Sequence, residues 1–454
     1  MTDSATESAL FKTYDIRGIA PTELSPDLAY RIGRALVLAL SVDTVVVGRD
    51  MRTTGQLLAA SLIDGIRDSG ADVTDVGLVS TDALYFAVGK YGYPAGVMIT
   101  ASHNPPEYNG FKICRAEARP VSFDGGIRQI RDRAIANEFP PLADKRGDLF
   151  AKEVLDAYAD HVLQMVDSRA IKPLNIAIDA GNGMAGKTVP TVFSRLPVKV
   201  TPLFFELDGR FPNHLANPIE PENVRDLQKA VLDGGCDLGI AFDGDADRMF
   251  LIDEKGRAVG GDMVTAMVAI ALLKKNPGAA ICYNLICSHA VPETITAHGG
   301  RPIRTPVGHS LIKKIMREED AVFGGEHSGH FYFRDNWYAD SGIIAALTVL
   351  ELVSEYGKPV SEVLAPLDTR YRSGEINTRV SDAKAVIAAV EAKFTEEGGS
   401  VDHLDGTTIE FPDWWFSLRS SNTEPLLRLN VEADTPELLA MKTAEVRALI
   451  PAAR

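Results

Sequence analysis

The 454-residue sequence predicts three related α/β domains with mixed, mostly parallel sheets, followed by a smaller α+β domain. Three observations carry this expectation. Short apolar runs alternate with helical stretches in three successive blocks, as strands joined by crossover helices do. The pattern breaks near residue 148, near Asp253 to Gly256 and near Pro366, so the expected domains are 1–148, 149–253, 254–366 and 367–454. The tail has a different order, with two strands flanking a polar loop and two helices.

In the first block VDTVVVGRD reads as a strand, GQLLAASLIDGIRDSG as a helix and DVTDVG as the next strand. Ala95 to Thr100, AGVMIT, is small and apolar and reads as a buried strand. It runs into ASHNPPEYNGFKI, where Ser102 stands beside the imidazole of His103. Pro105 and Pro106 stiffen the loop, and Lys112 follows in the same segment. Parallel α/β proteins place reacting groups where a buried strand runs out into such a loop. The plain alternative is a strand-to-turn connection with a capping serine.

In the second block NIAIDAGNG and DLGIAF repeat the alternation, and DLGIAF leads into Asp243-Gly-Asp-Ala-Asp-Arg248, then MFLID. Asp243, Asp245 and Asp247 alternate in a glycine-containing loop and can converge on one hard cation: magnesium, manganese or calcium. Their mutual repulsion makes the loop costly without positive charge. An EF-hand begins alike, and Glu254 matches its last ligand. However, Arg248 stands where that loop requires glycine, and the flanks read as strands. Three protein ligands leave coordination positions for water or a phosphate oxygen.

The third block is AAICYNLI, ETITAHGG and RPIRTPV, then Gly325-Glu-His-Ser-Gly-His330 between AVFG and FYF. Glu326, His327, Ser328 and His330 form a dense hydrogen-bonding set with little bulk, suited to a polyhydroxylated ligand. A zinc site would need a cysteine pair or a helical HExxH, and neither is present. The tail holds a strand from Gly374 to Val380, a helix from Asp382 to Glu397, and a last helix from Pro436 to Ile450. Between WWFSL and LLRLNV lies Arg419-Ser-Ser-Asn-Thr-Glu-Pro425. A guanidinium with the groups of Ser421, Asn422 and Thr423 is what a phosphate dianion asks for, although such clusters also make ordinary hairpin turns. A mobile closing lid is the expected role of this module.

Hydrophobic residues are 45% and charged residues 24%, values of a globular chain. Lysine plus arginine number 47 against 62 acids, a net charge of −15, which argues against nucleic acid and anionic membranes as partners. An anionic ligand must therefore be drawn in by local basic groups. Cys114, Cys236, Cys282 and Cys287 form no CxxC, the N-terminal MTDSATESALFK is no signal peptide, and no apolar run spans a bilayer. A cytoplasmic monomer or weak homodimer is the expectation.

In order and wording, TASHNP, DGDADR, GEHSGH and the Arg419 loop resemble the α-D-phosphohexomutase superfamily, most closely its phosphomannomutase/phosphoglucomutase branch. The resemblance runs from Tyr14-Asp-Ile-Arg-Gly18 to the Arg419 loop. It implies four domains around a central cleft, each contributing one loop, with Ser102 phosphorylated in the resting enzyme. The implied reaction interconverts hexose 1-phosphate and hexose 6-phosphate, of mannose or glucose, through a hexose 1,6-bisphosphate. Mg2+ is the expected ion, held by Asp243, Asp245, Asp247 and the Ser102 phosphate. For proton transfer the resemblance points to Lys112, His309 and Arg17 without choosing among them. His103 and Arg248 complete the expected catalytic set. Glu326 and Ser328 would hold ring hydroxyls with His330 nearby, and Arg419, Ser421, Asn422 and Thr423 the non-reacting phosphate. His327 favours the mannose/glucose branch over phosphoglucosamine mutase, the nearest competitor. From other classes, a sugar-phosphate phosphatase and a noncatalytic sensor stand as alternatives; a binding module has no need of a nucleophile.

Overall fold

The computed structural model describes residues 4–420 and 426–451. They divide into two compact units, Met1–Val264 with Ser328–Ser361, and Thr265–His327 with Glu362–Arg454.

The first unit opens on a mixed sheet. Its strands run Ile16–Ile19, Tyr108–Arg115, Ala95–Ile99, Thr44–Arg49, Asp72–Leu78 and Leu149–Ala151 in spatial order. The last four are mutually parallel, and Tyr108–Arg115 is antiparallel to both its neighbours. Strands Ala95–Ile99 and Thr44–Arg49 thus end on the same side, so the segments after them, Thr100 to Pro106 and Asp50 to Arg52, lie close together. Every residue of Ala95–Ile99 is buried, as its unbroken apolar run predicts. Helices Pro26–Leu40 and Gly55–Asp68 cover one face. Ser25 caps the first, its hydroxyl accepting from the Leu28 N–H, and Pro26 begins it. The two helices cross on glycines: a Cβ at Gly33 would sit 2.3 Å from the Leu62 carbonyl oxygen, and one at Gly65 2.1 Å from that of Tyr30. Leu28, Ile32, Leu36, Leu62, Val97 and Phe111 fill the core between helices and sheet.

A second sheet in this unit has the order Ala258–Val259, Met249–Asp253, Leu238–Phe242, Leu174–Asp179 and Val198–Leu203. The last three strands are parallel and the first two antiparallel additions. Strands Leu238–Phe242 and Met249–Asp253 pair from Phe242 with Met249 outward, so the Asp243–Arg248 loop is the tip of a hairpin. The short pair Phe331–Phe333 and Ala339–Asp340 is antiparallel.

The second unit contains the parallel strands Arg301–Thr305, Ala280–Asn284 and Phe323–Gly325. It also contains an antiparallel sheet ordered Tyr371–Arg372, Leu426–Ala433, Trp414–Ser420, Thr407–Glu410 and Ser400–Asp402, with Ile376–Arg379 also on Leu426–Ala433. Helices Ala383–Glu396 and Pro436–Ala448 accompany it, capped by the Asp382 and Thr435 side chains. Phe394, Trp414, Phe416, Leu427 and Val446 make its core. The fold class is the one expected, including the change of architecture in the tail. No described helix is long and apolar enough to cross a membrane.

Candidate active site

Ser102 emerges just beyond the Ala95–Ile99 strand with its backbone at φ 50°, a left-handed conformation that costs a non-glycine residue about 1–2 kcal/mol. Its N–H donates to the Thr100 hydroxyl at 2.8 Å. Its Oγ, nearly buried, donates to Asp243 Oδ2 at 2.7 Å and lies 3.1 Å from His103 Nδ1. Arg248 Nη2 donates to the same Oγ at 3.2 Å, contacts His103 Nδ1, and Arg248 Nε donates to Asp243 Oδ2 at 3.1 Å. Serine, histidine, arginine and the first aspartate of the hairpin therefore meet at one point.

The hairpin sits close because Gly244 allows it: a Cβ there would lie 2.5 Å from the Ser102 carbonyl oxygen. All three aspartates are buried, and their carboxylate oxygens lie within 4.8 Å of one another. Lys112 is placed by its register opposite Met98. Its ammonium donates to Asp245 Oδ2 at 2.7 Å and to Asp247 Oδ2 at 2.5 Å. Burial alone would lower the lysine; the charges of Asp245 and Asp247 more than offset that and hold it well above its ordinary range. Burial and the neighbouring carboxylates push Asp243 well up and Asp247 up to about 7. Asp245 is also buried, but Lys112, Thr81 and Ser102 hold it down at about 2.

Asp245 Oδ1 and Asp247 Oδ1 are buried and accept no hydrogen bond among the described residues. Buried carboxylate oxygens without donors, beside a third carboxylate, are the donor set of a hard divalent cation. The residues present thus fit such an ion.

The remaining expected residues fall into two groups. Arg17 lies in the first unit and reaches the serine loop from Ile16–Ile19, its guanidinium on Asn104 Oδ1 and Asp15 Oδ2, each at 2.5 Å. Ser328 Oγ lies 3.1 Å from His330 Nδ1, and His330 Nε2 lies 3.8 Å from Asp247 Oδ1. His330 is thus beside the carboxylate cluster, where Asp340 joins it: ligand atoms of Asp247, His330 and Asp340 lie within 4.8 Å of one another. The second unit holds Glu326, His309 and Arg419. Glu326 is buried, with Asn284 Nδ2 at 3.4 Å from its Oε2. His309 is the first residue of helix His309–Glu318. Arg419 is buried at the end of Trp414–Ser420, Nη1 3.3 Å from Asp405 Oδ2 and Nη2 3.7 Å from Glu375 Oε2. Its Nε and Nη2 make no hydrogen bond among the described residues, so donors remain for an anion. Ser421, Asn422 and Thr423 lie outside the described residues.

The sequence reading missed two groups. Thr81 opens helix Thr81–Tyr91, and its hydroxyl donates to Asp245 Oδ2 at 2.5 Å while its N–H donates to the Asp245 carbonyl at 3.0 Å. Arg52, with Asp50, lies beneath the serine loop. Arg52 Nη1 donates to the carbonyls of Pro105 and Tyr108 at 2.7 and 2.8 Å, and Nη2 to those of Ser102 and Asn104 at 2.8 and 2.6 Å. A usable signal existed: Asp50-Met-Arg52 follows the strand Thr44–Arg49, parallel to the one before Ser102, and neighbouring parallel strands deliver their following loops to one edge.

Family models described as phosphoglucomutase/phosphomannomutase match four successive stretches: α/β/α domain I at residues 8–140, domain II at 156–256, domain III at 260–371 and the C-terminal domain at 375–449. A phosphomannomutase of Salmonella montevideo is 44% identical over 449 residues, covering 97% of this chain and 98% of the relative. A Xanthomonas campestris protein named phosphohexose mutases is 42% identical over 442 residues, with 97% and 98% covered. The crystal structure of a phosphoglucomutase/phosphomannomutase family protein from Burkholderia thailandensis superimposes with a TM-score of 0.89 at 34% identity, covering 97% of each chain.

Proposed function

The chain belongs to the phosphoglucomutase/phosphomannomutase family, and on that premise we propose that it interconverts hexose 1-phosphates and hexose 6-phosphates through a phosphoserine at Ser102 and a hexose 1,6-bisphosphate. The observation that carries the assignment is the Ser102 Oγ, 2.7 Å from a buried carboxylate of the acidic hairpin and within reach of Arg248. A hydroxyl so placed can carry a phosphoryl group with compensating charge beside it.

In the forward half the bond between Ser102 Oγ and phosphorus breaks, and a bond forms from phosphorus to the free hydroxyl oxygen of the sugar phosphate. The hydroxyl proton leaves to a base. The bisphosphate turns, the bond between its other phosphorus and the sugar oxygen breaks, that phosphoryl group returns to Ser102 Oγ, and the freed sugar oxygen takes back the proton. Arg248 and Lys112 hold positive charge against the phosphoryl oxygens. Asp243, Asp245 and Asp247 would hold Mg2+, which when bound neutralises charge on the transferring oxygens. Lys112 and Arg17 are charged donors in this arrangement. His330, beside the cluster, is our choice for the proton acceptor of the first unit, with His309 its counterpart on the second. Arg419 and its loop take the phosphate that is not reacting. The four domains we assign are 1–148, 149–253, 254–366 and 367–454. The four cysteines are buried and form no disulfide, in keeping with a cytoplasmic site.

Glu326 and Ser328 are assigned to vicinal sugar hydroxyls. The intermediate must bind in two directions about half a turn apart. Equatorial O3 and O4 nearly exchange places in that rotation, whereas C2 has no such partner. A site that reads O3 and O4 accepts either C2 configuration, so glucose and mannose are both substrates. Specificity constants for glucose 1-phosphate and mannose 1-phosphate are expected within about tenfold, a gap of about 1.4 kcal/mol. Galactose 1-phosphate, with axial O4, is expected to fall by up to about 10⁴-fold. A side-by-side kinetic assay with inorganic phosphate monitored decides the matter. Equal rates on galactose 1-phosphate would refute the sugar assignment, and phosphate accumulating without isomerisation would make the protein a phosphatase.

A further inference from the structure

We propose that Arg52 is a positioning residue for the phosphoryl transfer, fixing the carbonyl arc of the loop that carries Ser102 and so the direction of the serine oxygen. The inference rests on Ser102 being the phosphorylated nucleophile.

The loop from Ser102 to Tyr108 contains Pro105 and Pro106, which have no N–H to donate. Neither the Ala95–Ile99 strand nor Tyr108–Arg115 pairs with Ser102, Asn104 or Pro105. The Pro105 carbonyl accepts from the Tyr108 N–H at 3.1 Å, and the carbonyls of Ser102 and Asn104 need donors from elsewhere. One guanidinium supplies these and ties in the rest of the loop: its two terminal nitrogens reach four carbonyls, Ser102, Asn104, Pro105 and Tyr108, at 2.6 to 2.8 Å. The four hydrogens on those nitrogens match four acceptors in number.

Arg52 cannot touch a substrate, because its side chain is 0% exposed. Asp50 Oδ2 lies 3.3 Å from the Arg52 Nε, and Asp50 Oδ1 accepts from the Arg52 backbone N–H at 2.9 Å. The Phe211 ring covers the guanidinium at 5.2 Å, and a Cβ on Gly209 would come within 2.6 Å of the Arg52 Cα. Ser102 is therefore held at both ends. Its Oγ meets Asp243 and Arg248, and its carbonyl meets Arg52. The left-handed backbone at Ser102 aims Oγ at the hairpin, and the Arg52 arc keeps that backbone from relaxing. Lysine offers three donors from a single point and cannot span the arc.

The test follows Ser102 phosphorylation by glucose 1,6-bisphosphate, using intact mass in single turnovers. Wild type and Ser102→Ala come first: if wild type gains no phosphoryl group, or Ser102→Ala gains the same one, the nucleophile assignment fails, whatever Arg52 does. With that settled, Arg52→Lys is expected to phosphorylate about 10²-fold more slowly per folded molecule, since a misplacement near 1 Å costs about that much. Its kcat is expected to fall equally, with KM within about threefold and a cooperative thermal transition retained. A phosphorylation rate within about threefold of wild type, or a loss confined to KM or to the folded fraction, overturns the proposal. If Arg52→Lys does not fold, Asp50→Asn decides: it keeps the guanidinium but removes its charged partner. At least a tenfold slower phosphorylation at unchanged KM supports the proposal, and an unchanged rate overturns it.

Discussion

Asp245 gives one carboxylate oxygen to Lys112 and Thr81 and keeps the other buried without a donor among the described residues. Asp245→Asn keeps the shape but removes the charge. It is expected to weaken Mg2+ binding, read by calorimetry, and to lower kcat by about 10²-fold or more. Full activity in excess chelator would refute the cation assignment. A different buried acid makes a test of stability. Burial raises Asp82 to about 6 from 3.8, even though hydroxyls of Ser341, Ser80 and Tyr158 donate to it and pull the other way. An acid raised on folding binds its proton more tightly in the native state, so stability falls as pH rises between those two values. The loss is roughly 3 kcal/mol, complete above the folded value. Asp82→Asn cannot titrate, so its stability relative to wild type should climb by about that amount from pH 4 to 7 in denaturant melts. A pH-independent difference would show that Asp82 does not titrate in that window.

The hairpin Leu238–Phe242 to Met249–Asp253 works only because its tip approaches the serine loop backbone to backbone. Gly244→Ala must push the two loops apart, since a carbonyl oxygen at 2.5 Å cannot rotate away as a side chain would. The expected result is a folded protein with kcat reduced about 10²-fold and Ser102 phosphorylated correspondingly slowly; wild-type kinetics would mean the loops can separate without consequence. These elements also mark how far the sequence could be read. The strands before Ser102 and Asp243 were legible because buried parallel strands are unbroken apolar runs, and the polar residues at their ends stood out. The last two helices were legible too, expected from Asp382 and from Pro436 and found at Ala383–Glu396 and Pro436–Ala448. Thr81 was not, and Arg52 was legible only through the strand before it. Their partners lie far along the chain, and no local pattern around Thr81 asks for a hairpin carboxylate. His330 read as part of a sugar loop, and only the fold put its ring beside Asp247.

With a net charge of −15, the molecule as a whole repels the anions it is proposed to bind, so local cations must do the capture. Arg419 is the test in the second unit. Arg419→Ala is expected to raise KM by more than tenfold and to release more free bisphosphate during turnover, measured by trapping the product; unchanged release would mean that another group retains the intermediate. The first unit is also discontinuous in the chain: it runs to Val264, leaves, and returns from Ser328 to Ser361. That has a consequence for how the protein is made. A ribosome delivers Asp82 and the acidic hairpin long before Ser341 and His330, which touch them in the finished fold. The emerging N-terminal part carries a cluster of carboxylates whose later neighbours are still untranslated. Lys112 and Arg248 are already present to meet the charge of the hairpin, whereas the Ser341 hydroxyl and the His330 ring that pack on Asp82 and Asp247 are still to come. A gene fragment stopping at Val264 encodes a piece that lacks its own closing segment.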